Sequence, residues 1–141
     1  RGSSYDVKEV GWNYYMNEFS AGLGLIQLKK LDKLNQIRRK IAKRYYDEIR
    51  LEQKMPFVKD CSYHFYWIMT KNRERLRKKL KKYGIETGIH YKPIHKMSMY
   101  HTKNKLPVTE NVGKSIISIP THPNLSDRDV IQIISLVNKL C

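Results

Sequence analysis

Two cysteines, five prolines and thirteen acidic residues are few for 141 residues, and each shortage excludes something. Cys61 and Cys141 have neither the number nor the spacing of a disulfide framework or a zinc site. Both read as free thiols of a reducing compartment, which makes the cytoplasm the expected location. No apolar run approaches membrane-spanning length, and the N-terminus lacks the basic-then-apolar layout of a signal peptide, so no membrane partner is expected. The chain contains no HExxH, CxxC, GxSxG, phosphate-binding loop or dinucleotide fingerprint, so no self-contained catalytic motif stands in it. It opens on Arg1, not methionine, which reads as a processed chain or part of something longer; "RGSS" also matches tag residue.

What is present suits one folded domain. Hydrophobic residues make up 40%, enough for one core at this length. The formal charge of +15 is concentrated: from Lys71 to Lys82, "KNRERLRKKLKK" sets eight basic residues against Glu74. Such a block either grips nucleic acid or is the solvated face of a helix. Leu76 and Leu80, spaced i, i+4, favour the second reading and give a short amphipathic helix. With no RNA-binding aromatic signature and no helix-turn-helix punctuation, a nucleic-acid partner is not expected.

Periodicity supplies the elements. Asn17 is placed to cap a helix, with Glu18 in its first turn. Phe19, Leu23 and Ile26 begin the pattern, and Leu34, Ile37, Ile41, Tyr45 and Ile49 continue it. Ala21, Gly22 and Gly24 form a small-residue patch suited to close approach of another backbone. Asp32 is positioned to cap a second helix, which would kink or break the first across Lys30–Lys33. Aromatic and β-branched "CSYHFYWIMT", Cys61 to Thr70, reads as a strand, the basic helix stops at Gly84, and Ile85 to Tyr91 reads as a second strand. A loop runs from Lys92 to Lys105, a short helix capped by Thr109 follows, then a last strand in "ISIP". Ser126 and Asp129 form a capping-box layout at the head of a terminal helix whose core face is Val130, Ile133, Ile134, Val137 and Leu140. The fold class is α+β: a long N-terminal helix, a small antiparallel or mixed sheet covered by helices, and a C-terminal helix.

Of five histidines, His64, His90, His95 and His101 fall in the middle of the chain, but without further ligands at zinc spacing no metal site is expected. Cys61 and His64, three apart on a strand, would face opposite sides and make no nucleophile–base pair. Gly11 to Tyr15 and Thr87 to His95 stand apart as polar, aromatic stretches at element edges. Amides, phenols and imidazoles of this kind suit phosphate and sugar hydroxyls; equally, they suit capping plus a turn.

"GWNYYMNEFSAGLGLIQLKKLD" resembles the G-Y-N-Y-R-M segment of the DegT/DnrJ/StrS aminotransferases, many of which act on nucleotide-linked keto sugars. "SYHFYWIM", "GIETGIHYKPIH" and "LPVTENVGKSIISIPTHPNLSDRDV" continue the similarity in order. The resemblance covers nearly the whole chain, yet only the C-terminal part of such an enzyme, the small domain of fold-type I pyridoxal-phosphate proteins. It implies residues 1–141 as one such domain, with the large domain and its Schiff-base lysine outside the chain. The implied cofactor is pyridoxal phosphate, and the implied reaction is amino transfer, typically from glutamate, by the full-length enzyme and not by this chain alone. It further implies a homodimer through the N-terminal helix, with Asn13 reaching the partner's cofactor phosphate and Ala21, Gly22 and Gly24 serving close packing. His90, Tyr91 and His95 are implied near the sugar. Tyr15, where the family usually has arginine, offers that region only a neutral hydroxyl. A dimerisation module without catalysis is the alternative reading.

Overall fold

The computed structural model describes residues 9–12, 14–100 and 102–141. Two units divide at Asp32: Arg1–Asp32 and Lys33–Cys141. In the first, helix α1 (Glu18–Glu48) begins. Asn17 caps it as expected, its Oδ1 accepting the Ser20 N–H at 2.8 Å. Phe19, Leu23 and Ile26 are exposed. Among the described residues the close-packing role expected of the glycine patch has no counterpart, because a Cβ on Gly22 or Gly24 would meet nothing within 4 Å.

The expected break at Asp32 does not occur, and α1 runs on unbroken. An aspartate in a helix interior costs only about 0.7 kcal/mol relative to alanine, too little to end a helix that contains no proline. Further along, Lys43–Asp47 and Arg44–Glu48 ion pairs at i, i+4 support its last turns.

In the second unit the core faces follow the periodicity. Ile41 and Tyr45 of α1, with Ile49 just past its end, are buried with Leu76 and Leu80 of α2 (Arg73–Lys82) and Val130, Ile133 and Val137 of α4 (Asp127–Leu140). Gly84, at φ +74°, ends α2 in the left-handed region, and the Ile85 N–H folds back to the Leu80 carbonyl at 3.1 Å. The capping box on α4 forms: Ser126 Oγ accepts the Asp129 N–H, and the Asp129 carboxylate accepts the Ser126 N–H.

Strands β1 (Tyr66–Met69) and β2 (Ile116–Ile119) pair antiparallel, Tyr66 opposite Ile119 and Trp67 opposite Ser118. Tyr66, Ile68, Ile117 and Ile119 face the core, while Trp67 and Ser118 take the other side. β1 is shorter than its sequence pattern because Tyr63 adopts φ +47°, a left-handed corner no strand can pass through. Cys61 and His64 therefore both precede the strand. The second expected strand, Ile85 to Tyr91, contributes only an antiparallel bridge at Gly88, which exchanges both backbone hydrogen bonds with Ser118. Helix α3 (Pro107–Ser115) starts two residues before Thr109, since Pro107 suits the first helical turn and Leu106 takes the capping position.

Candidate functional site

A cavity of about 650 Å³ opens at the Gly88 edge of the sheet. Its walls come from the residues before β1, the 85–90 segment, the end of β2 and the first turns of α4, with Phe65, Thr87, Gly88, His90, Ser118 and Gln132 among them. Each wall has a local cause. The Tyr63 corner delivers His64 and Phe65, the left-handed Gly84 sends the chain back along the sheet, and the Ser126 cap starts α4 beside it.

His90 is the polar centre of this arrangement. Its Nδ1 lies 2.9 Å from Ser118 Oγ. Phe65 stacks on the imidazole with centroids 5.3 Å apart, and Tyr91 meets it edge-on at 4.9 Å. Gly88 leaves room for the ring: a Cβ there would stand 2.6 Å from His90 Cε1. Ser118 is buried and His90 half-buried, and both stand on the cavity wall. Asp129, on the α4 wall, is committed to Ser126, whose hydroxyl and N–H hold its carboxyl below the usual range.

His95 lies in a separate cluster. It is buried, and its Nε2 is 3.2 Å from Glu110 Oε1 on α3. Glu110 also pairs with Lys96 at 3.3 Å and accepts the Leu106 N–H at 3.3 Å. That backbone bond first, then His95 and Lys96, lowers the Glu110 pKa. The 3-10 turn at Ile94–Lys96, which a second at Ser98–Tyr100 follows, is thereby tied to α3. Pro93 seats against Gly113, where a Cβ would come within 2.6 Å of Pro93 Cγ.

Of the residues singled out from sequence, His90 and Tyr91 are thus in contact, while His95 turns to Glu110. Tyr91 and Tyr15 are exposed, Tyr15 in the first unit. Asn13 lies outside the described residues. Ser118, Phe65, Gly88 and Glu110 were not singled out. Ser118 sits 28 positions from His90, so no local spacing announces it, although a serine between isoleucines in a strand does mark the face opposite the core. Among the described residues no three His, Cys, Asp or Glu side chains converge as a metal site. No described helix is long and apolar enough to cross a membrane.

Comparison with known proteins follows the same boundaries. The model of the DegT/DnrJ/EryC1/StrS aminotransferase family matches residues 1–138. GDP-perosamine synthase of Escherichia coli O157:H7 is 36% identical over 138 residues, which are 92% of this chain and 38% of the relative. Helicobacter pylori PseC, an aminotransferase involved in the biosynthesis of pseudoaminic acid, superposes with TM-score 0.84 at 31% identity over 96% of this chain and 40% of its own. A candidate sugar aminotransferase of Streptococcus pneumoniae, solved in its PLP form, superposes with TM-score 0.85 at 25% identity over 99% and 39%. The chain therefore spans about two-fifths of the length of the proteins it matches.

Proposed function

The chain belongs to the DegT/DnrJ/EryC1/StrS aminotransferase family, and from that premise we propose that it is the C-terminal part of a pyridoxal-phosphate-dependent enzyme that transfers an amino group, from glutamate, to a nucleotide-linked keto sugar. The observation that carries this reading is the match of residues 1–138 to the aminotransferase family model, with a GDP-perosamine synthase and an aminotransferase of pseudoaminic acid biosynthesis among the similar proteins.

Pyridoxal phosphate supplies the electron sink for such a transfer when bound. No lysine lines the His90 cavity, so that cavity by itself does not offer the amine a covalently held cofactor needs. The 141 residues alone do not transaminate. What this chain contributes is binding and orientation. Asn13 donates its amide to the cofactor phosphate of a partner subunit, as a neutral donor suited to a dianion. His90 and Tyr91, in mutual contact beside the cavity, meet the sugar. Tyr15, exposed in the first unit, offers a neutral hydroxyl for substrate contact. His95 acts one step back: with its Nε2 engaged by Glu110, it holds the loop and not the ligand. The partner is a second copy, docked through the exposed apolar residues of α1.

The test compares the polypeptide read from the genomic frame containing these residues with the 141 residues alone. Each is supplied with pyridoxal phosphate, glutamate and a GDP- or dTDP-linked 4-keto sugar, and amino sugar is measured by mass spectrometry. Product from the longer polypeptide only is expected. Product from the 141 residues would overturn the division of labour, and none from the longer one would overturn the activity.

A further inference from the structure

We infer that Ser118 and Gly88 fix the His90 imidazole in the tautomer whose Nε2–H is offered, as a donor, to an oxygen of the molecule in the cavity. Identifying that oxygen with a hexose oxygen of the nucleotide sugar rests on the function proposed above; the donor assignment does not.

Two proton arrangements satisfy the 2.9 Å contact between His90 Nδ1 and Ser118 Oγ. If Nδ1 carried the hydrogen, the serine oxygen would accept it and the serine hydroxyl would need another acceptor. Ser118 lies on the cavity wall but is only 4% exposed, and among the described residues its hydroxyl has no other protein partner. A buried donor left without an acceptor is rare in folded proteins. The satisfied arrangement has the serine donating to a bare Nδ1, which places the ring hydrogen on Nε2.

The ring's orientation is fixed independently. Gly88 and Ser118 are locked to each other by two backbone hydrogen bonds of 3.0 and 2.9 Å. The missing Cβ of Gly88 is what lets the imidazole lie over that bridge, and Phe65 stacks on it. His90 lines the cavity, and Nε2 is its one polar ring atom without a protein partner among the described residues. In this state His90 cannot take a proton from the ligand at Nε2, because a hydrogen is already there. It orients an acceptor. Ser118 is accordingly a positioning residue, two bonds removed from the ligand.

The experiment begins without ligand. Protein labelled with 15N-histidine is examined by long-range 1H–15N correlation at about pH 9, where an ordinary imidazole is neutral. A bare Nδ1 and a protonated Nε2 are expected at His90. Ser118→Ala should return the ring to a mixture of tautomers, while Ser118→Thr, which keeps a hydroxyl, should preserve the parent pattern. A protonated Nδ1 in the parent protein, or an unchanged tautomer in Ser118→Ala, would overturn the assignment.

Binding of GDP-mannose to the polypeptide read from the full frame is then measured for two replacements. Gln at position 90 carries an amide N–H about where Nε2–H stands; Asn stops about where Nδ1 stands. His90→Gln should keep affinity within about threefold, and His90→Asn should lose about tenfold, the loss of one well-placed hydrogen bond. The reverse order would overturn the donor role. The expected tautomer with no binding by any form upholds the donor assignment and overturns the sugar reading.

Discussion

Tyr45 and Tyr66 meet edge-on in the core, 5.3 Å apart, and each phenol keeps one hydrogen bond: Tyr45 donates to the Pro120 carbonyl and Tyr66 to that of Met55, both at 2.8 Å. Burial raises both pKa values far above the usual phenol value, so both stay neutral donors. Pro120 directly follows β2 and lines the His90 cavity, so the Tyr45 bond pins α1 to the cavity wall. Tyr45→Phe should lower unfolding free energy by about 1 kcal/mol while leaving the ring packing in place. Urea unfolding followed by circular dichroism measures it, and an unchanged midpoint would show that the bond contributes nothing net. At this scale the sequence was legible for Tyr45, whose place in the 3.6-residue series predicts burial. It was silent on the partner of its hydroxyl, 75 positions away.

Loop and helix are joined through one carboxylate. Glu110 on α3 gathers the Leu106 N–H, His95 and Lys96, and its depressed pKa makes the joint pH-dependent. A carboxyl depressed in the folded state contributes stability above its unfolded value, and that contribution is lost as pH falls through the folded one. The joint should therefore persist through neutral pH and open only below the ordinary glutamate value of about 4.3. Glu110→Ala should speed amide hydrogen exchange across residues 94–106 at pH 7 and leave β1 and α4 protected. Uniform acceleration along the chain would show instead that Glu110 supports the whole fold. The helices themselves were readable, since caps at Asn17 and Ser126 and the stop at Gly84 are written in neighbouring residues. The last strand was too, but the first was only partly readable and the second was not. A left-handed Tyr63 inside an aromatic run and a lone bridge at Gly88 answer to contacts made elsewhere, Tyr63 stacking on Phe57 and Gly88 pairing with Ser118.

For the molecule as a whole, charge and exposed apolar surface act against each other. Phe19, Leu23 and Ile26, at 93%, 60% and 51% exposure, repeat on one face of α1. Such a row favours association with a second copy. The net charge of +15 opposes it over a Debye length of about 10 Å at 0.1 M salt. Sedimentation velocity should show a dimer that strengthens as salt is raised, and Leu23→Glu combined with Ile26→Glu should give a monomer. A parent protein that stays monomeric at high concentration and high salt would remove the helix as an interface.

The sequence by itself determined what depends on neighbours in the chain: the caps of α1 and α4, the stop of α2, which helix faces are apolar, the α+β class, and the ordered motifs that mark the family. These follow from i, i+3 and i, i+4 contacts and from capping, whose partners lie within one turn. Only the tertiary structure decided which polar groups meet. Antiparallel register sets Ser118 against Gly88, and so against His90, and the return of the loop onto α3 sets Glu110 against His95. Those pairs, 28 and 15 positions apart, exist because strands and loops bring distant backbone together at hydrogen-bonding distance, a condition that no local pattern of residues encodes.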